Sequence, residues 1–71
     1  MDAKRFGRRV RAFRKLKRIS QIQLAESIHI STSTLGRIER GEKMPNEKYI
    51  SMIAEQLNIE QHELIGKQIA E

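Results

Sequence analysis

The chain is predicted to fold as an all-α domain of five short helices around a single core. Three observations predict this. Apolar residues recur at three- and four-residue spacing from Phe6 to Leu64, and no stretch alternates as a strand would. Helix-start and helix-stop residues stand between the apolar runs. The chain has 71 residues and no cysteine, which excludes a disulfide framework or a thiolate metal site. A chain of this size is near the lower limit for a self-sufficient core, so packed helices must supply its stability, with a partner subunit as one further source.

Each element follows from local pattern. Phe6, Val10, Phe13 and Leu16 form an apolar stripe on a first helix from about residue 3 to 17. Ser20 followed by Gln23 is a capping-box pattern that starts a second helix, whose inner face is Leu24, Ala25 and Ile28. His29 and Ile30 make the turn. Ser31 is the expected N-cap of a third helix that runs to about Arg40, with Leu35 and Ile38 inward and Gly41 as its stop. Pro45 and Asn46 mark the next boundary. Ile50, Ile53, Ala54 and Leu57 fit a fourth helix, Asn58 to Glu60 a short connection, and Leu64 with Ile65 a brief fifth. Residues 66–71 are expected to be a tail. The expected core is Phe6, Val10, Phe13, Leu16, Leu24, Ala25, Ile28, Ile30, Leu35, Ile38, Ile50, Ile53, Ala54, Leu57, Ile59 and Leu64.

The formal net charge is +5 and the sequence pI is about 10.1. Nine cations precede residue 19, and Arg37, Arg40, Lys43 and Lys48 follow in or after the third helix. The acidic residues lie mostly later. A basic balance of this kind favours a polyanionic partner. The first helix alone would also suit a membrane surface or a calmodulin-like receptor, but that leaves the ordered pattern from Ser20 to Gly41 unexplained. No apolar run is long enough to cross a bilayer, and the N-terminus lacks a signal peptide's apolar core. A soluble, cytoplasmic protein is expected. His29 and His62 do not share a metal-ligand spacing, and no phosphate loop, nucleophile elbow or paired-carboxylate motif occurs, so neither catalysis nor a cofactor or metal is expected.

Several pieces in order carry a resemblance: Phe6-Gly7-Arg8-Arg9-Val10-Arg11, Arg14, Ser20-Gln21, Leu24-Ala25, Ile30-Ser31, Ile38-Glu39-Arg40-Gly41, Pro45 and Leu57-Asn58-Ile59. From about residue 6 to 65 the chain resembles the Cro and phage-repressor (XRE-like) helix-turn-helix family. The resemblance implies a five-helix, lambda-repressor-like DNA-binding domain. It further implies a sequence-specific transcriptional regulator of double-stranded DNA, most commonly a repressor, whose recognition helix at about 31–40 enters the major groove. The base-reading positions it implies are Thr32, Ser33, Gly36 and Arg37, and helical geometry independently sets these opposite Leu35 and Ile38. Arg37 can bond guanine with two parallel hydrogen bonds, and Thr32, Ser33 and Thr34 can bond base edges or phosphates. Phosphate contacts are implied for Gln21, and Arg40, Lys43 and Lys48 are placed to reach the backbone on the other side. Ser31 stands between two roles, cap or phosphate contact. The resemblance also implies an internal ion pair between Arg14 and Glu39.

Three positions depart from the family pattern. His29 stands where glycine is usual, in a left-handed turn. Gly36 lies inside the recognition helix, where it either allows close approach to DNA or is merely tolerated. Glu47 replaces an apolar residue at the start of the fourth helix, where it suits the helix dipole. Family members usually bind two-fold operators as homodimers, and the expected dimer surface here is Tyr49, Met52, Ile65 and Ile69. A protein-interaction adaptor or antitoxin on the same fold is the alternative, because fold does not fix function.

Overall fold

The computed structural model describes residues 2–66, and Ile69 and most of the expected tail lie outside the described residues. The described residues form five helices: α1 (Ala3–Leu16), α2 (Gln21–Ser27), α3 (Thr32–Glu39), α4 (Glu47–Leu57) and α5 (Gln61–Ile65). No strand occurs among them. This is the expected five-helix, lambda-repressor-like order, with each boundary within about a residue of its sequence signal.

Side chains start four of the five helices. Asp2, Ser20, Ser31 and Asn46 each accept a hydrogen bond from the backbone N–H three residues on. Each such bond satisfies one of the donors a helix leaves unpaired at its start. The Ser20 cap is reciprocal: Gln23 N–H donates to Ser20 Oγ at 3.0 Å, and Ser20 N–H donates to Gln23 Oε1 at 2.8 Å. Asp2 was not anticipated, because it precedes the first apolar residue of the stripe by four positions.

The first four helices end in one common way. After α1, α2, α3 and α4 a single residue adopts the left-handed conformation: Arg18 (φ 60°), His29 (φ 62°), Gly41 (φ 80°) and Asn58 (φ 57°). In each case that residue and the next donate back to the last turn, as Arg18 to Lys15 and Ile19 to Arg14 do after α1. This is the Schellman motif, which satisfies two carbonyls that the helix end would otherwise orphan. The residue after the left-handed one is Ile19, Ile30 or Ile59 in three cases, each half-buried against the core. After α3 it is Glu42, which is exposed.

Glycine is required at only one of these four turns. A Cβ on Gly41 would lie 2.6 Å from Lys4 Cγ and 2.7 Å from Lys4 Cα. The start of α1 thus presses on the end of α3. Gly7 makes the same junction from the other side, because a Cβ there would strike the carbonyl oxygens of Ile38 and Glu39.

The buried core comprises Phe6, Val10, Leu24, Ala25, Ile28, Leu35, Ile38, Ile50, Ile53, Ala54, Leu57 and Leu64. Phe13, Ile30 and Ile59 pack at its edge, joined by Ile19. Leu16 is a correction: it is 72% exposed. The apolar stripe of α1 runs one turn past the partners that could cover it, and Ile19, brought back by the Schellman turn, takes the place at the core that Leu16 was expected to fill. At the other end, α5 docks on α1 through Leu64 and a hydrogen bond from Arg9 Nη1 to the Glu63 carbonyl at 3.3 Å.

Candidate nucleic-acid interface

The unit α2–turn–α3 is held by packing and by one carboxylate. Leu24, Ala25, Ile28, Leu35 and Ile38 are buried between the two helices and the rest of the core. The turn itself is closed by Ile30 N–H donating to the Ala25 carbonyl at 3.0 Å. His29 occupies the left-handed position with its side chain exposed. A histidine tolerates that conformation less well than glycine, so the turn carries a modest strain.

Glu39 is the sole charged side chain in the core of the described residues. Arg14 Nε donates to its Oε2 at 2.7 Å and Arg14 Nη2 to its Oε1 at 3.1 Å. Arg14 Nη1 also donates to the Ile19 carbonyl at 3.0 Å. The pair is bidentate and largely withdrawn from water, with side-chain exposures of 11% for Arg14 and 4% for Glu39. Gln21 Nε2 adds a third bond to Glu39 Oε1 at 3.1 Å. One carboxylate therefore joins α1, α2 and α3. A buried ion is tolerated only with such full pairing.

The outward side of α3 exposes Ser33 and Arg37 and leaves Thr32 half-buried. Gly36 needs one correction: it lies on the cleft side of α3 but is covered rather than open to solvent. A Cβ there would meet Arg40 Nη1 at 3.2 Å and Gln21 Nε2 at 3.7 Å, so the long side chains of α3's end and α2's start fold over it. Gly36 makes room for that cover. Thr34 is half-buried, and its Oγ1 accepts a hydrogen bond from Ser31 Oγ at 2.8 Å. Ser31 Oγ also accepts from the Thr34 N–H at 3.0 Å. Both hydroxyls thus take part in the cap, and Ser31 fills the capping role.

Cations border this face. Arg40 Nε donates to Glu42 Oε2 at 2.9 Å, and Arg37 Nε lies 3.9 Å from Glu42 Oε1. The hydrogen bond from Arg40 is the main cause that holds the Glu42 carboxyl below its ordinary range, and the Arg40 guanidinium is raised in turn. Lys43 and Lys48 are exposed beyond the end of α3. Gln21, expected to contact a phosphate, commits one amide hydrogen to Glu39, and its own backbone N–H is not used by the α2 cap. Arg11, which carried no assigned role in the sequence, lines the same shallow cleft as Gln21, Gly36 and Arg40. Its signal was present in the spacing, since Lys4, Arg11 and Lys15 follow one side of α1, but α1's cations were too numerous for spacing to select among them.

Tyr49 and Met52 on α4 and Ile65 on α5 are each half-buried. Among the described residues no group of three acidic, histidine or cysteine side chains could hold a metal ion, and no helix is long and apolar enough to cross a membrane.

Comparison with known proteins agrees with this geometry. Over 64 residues the chain is 48% identical to the uncharacterized HTH-type transcriptional regulator YazB of Bacillus subtilis (strain 168), covering 90% of this chain and 93% of that protein. It is 34% identical over 62 residues to the immunity repressor protein of Bacillus phage phi105, where it spans 87% of its own length and 43% of the repressor's. Among solved structures it superposes on the restriction-modification controller protein C.AhdI from Aeromonas hydrophila with a TM-score of 0.83 and 35% identity, over 87% of this chain and 94% of that one. The pattern of the Helix-turn-helix family matches residues 10–64, from the middle of α1 through α5. With two capped helices joined by a left-handed turn at its centre, the chain belongs to the Helix-turn-helix family.

Proposed function

We infer that this chain is a DNA-binding transcriptional regulator that acts as a repressor, with α3 seated in the major groove of duplex DNA. The observation that carries this reading is the outward side of α3. It offers small hydroxyls and one arginine, bordered by further cations, on a helix whose opposite side is locked into the core. Relatives named as a transcriptional regulator and an immunity repressor support it. The nature of those relatives, and the absence of a catalytic constellation in the sequence, favour binding over chemistry.

In this reading Arg37 reads a guanine through two parallel hydrogen bonds, and Thr32 and Ser33 meet neighbouring base edges. Thr34 contributes through its methyl group and through its hydroxyl hydrogen, which stays free because Oγ1 only accepts from Ser31. Gly36 acts indirectly, by letting Arg40 and Gln21 lie flat over the helix. Gln21, Arg40, Lys43 and Lys48 hold phosphates and set the register, with Ser31 at the helix start as their scaffold. The protein works in the cytoplasm on the DNA itself. Two copies pair through Tyr49, Met52 and Ile65, which sets two recognition helices about one helical turn apart on a palindromic operator.

Selection of bound sequences from a random duplex pool tests this. The expected result is a palindromic consensus containing a guanine whose preference disappears in Arg37→Ala, at a loss of about 1–3 kcal/mol for that base. Binding with no sequence preference in the wild type would overturn it.

A further inference from the structure

Glu42 breaks two regularities at once. At three of four equivalent helix ends the residue after the left-handed position is an isoleucine packed on the core; at the end of α3 it is a glutamate. It is also an anion set among the cations that border the outward side of α3. We propose that Glu42 is an internal competitor of the DNA phosphates, a carboxylate that occupies Arg37 and Arg40 until a cognate site displaces it, so that it lowers affinity for DNA of any sequence. The proposal rests on the reading of α3 as the recognition helix and assigns Glu42 a role within it.

The backbone brings Glu42 into reach of both arginines. Glu42 N–H donates to the Arg37 carbonyl at 2.8 Å, and Gly41 N–H to the Ile38 carbonyl at 3.0 Å. The Schellman turn thereby pins the Glu42 backbone directly under the last turn of α3. From there its carboxylate reaches Arg40 Nε at 2.9 Å and Nη2 at 3.5 Å, with Arg37 Nε at 3.9 Å. A carboxylate presents two oxygens to a guanidinium much as a phosphate does. It therefore engages the donors that non-specific binding would use. All three side chains are about half exposed or more, so these pairings exchange readily with solvent and with an incoming phosphate. A cognate base edge gives Arg37 two aligned acceptors that DNA of other sequence does not, and so offsets the loss of the carboxylate at the specific site alone. The net effect is to subtract from sequence-independent binding and thereby widen the ratio of specific to non-specific affinity.

The test is duplex binding by fluorescence anisotropy, as a function of salt, for the wild type and Glu42→Gln, with random-sequence DNA and with the selected site. Glutamine keeps the shape and the backbone bond and removes the charge. The expected result is several-fold tighter binding of random DNA, with a salt dependence steeper by about one unit for each additional phosphate that is neutralised. The gain on the selected site should be smaller. In an Arg37→Ala/Arg40→Ala background the same Glu42→Gln change should have little effect. Unchanged or weaker binding by Glu42→Gln, with wild-type affinity intact, would overturn this role and leave the recognition helix standing. An undiminished gain in the double-alanine background would overturn it too, since the effect would then be one of overall charge. Failure of both proteins to bind duplex DNA would overturn the recognition helix and this role together.

Discussion

The Glu39 carboxylate accepts three hydrogen bonds from two side chains that belong to different helices. Removing one partner of a buried pair leaves the other charge without compensation, which costs about 3 kcal/mol. Glu39→Ala is therefore expected to lower the melting temperature by on the order of 15 °C in a domain of this size, as thermal unfolding by circular dichroism would measure. His29 is a milder case. Its left-handed backbone costs a side chain about 1 kcal/mol that glycine would not incur, partly offset by glycine's greater freedom in the unfolded chain. His29→Gly should raise the melting temperature by a few degrees, and a decrease would show that the imidazole makes a stabilising contact. The ion pair and the histidine turn were both legible in the sequence, the first through family resemblance and the second through the missing glycine. Arg18 in the same conformation was not, because arginine gives no such signal; at Asn58 the asparagine that tolerates this conformation suits a plain connection equally well. The cover over Gly36 was not legible, because helical spacing locates a Cα on a face but does not say which long neighbour folds over it.

At the scale of the element, the helices were readable where a short polar side chain sits three residues before the N–H it caps. Ser20, Ser31 and Asn46 are of this kind. What periodicity could not supply was where a stripe stops being covered. Leu16 continues the pattern of Phe6, Val10 and Phe13, yet α1 has outrun the core by that turn. For α3, the cap separates stability from recognition. Ser31→Ala should cost about 1 kcal/mol of folding stability, since it removes the acceptor for the Thr34 N–H. It should leave unchanged the guanine preference assigned to Arg37. A shift in the selected consensus, rather than in the melting curve alone, would give Ser31 a direct part in reading DNA.

For the whole molecule, function separates into a broad scaffold and a narrow edge. Most of the central unit is committed to the core, to caps or to the Glu39 cluster, and only Ser33 and Arg37 are exposed on the outward side of α3, with Thr32 half-buried beside them. The overall charge distribution was legible in composition, but the opposing role of one carboxylate within it was not, because it depends on a turn that returns Glu42 to Arg37. The joining of α1 to the end of α3, at Gly7 and Gly41 and through Arg14 and Glu39, has a dynamic consequence. The helix-turn-helix cannot open without releasing α1 from it. The amide protons of Ile28 at the C-cap of α2, Ile38 in α3 and Val10 in α1 should accordingly exchange with deuterium at one common opening free energy, close to that of global unfolding. Slower exchange in α1 than in α3 would mean that the recognition helix frays independently of the body that carries it.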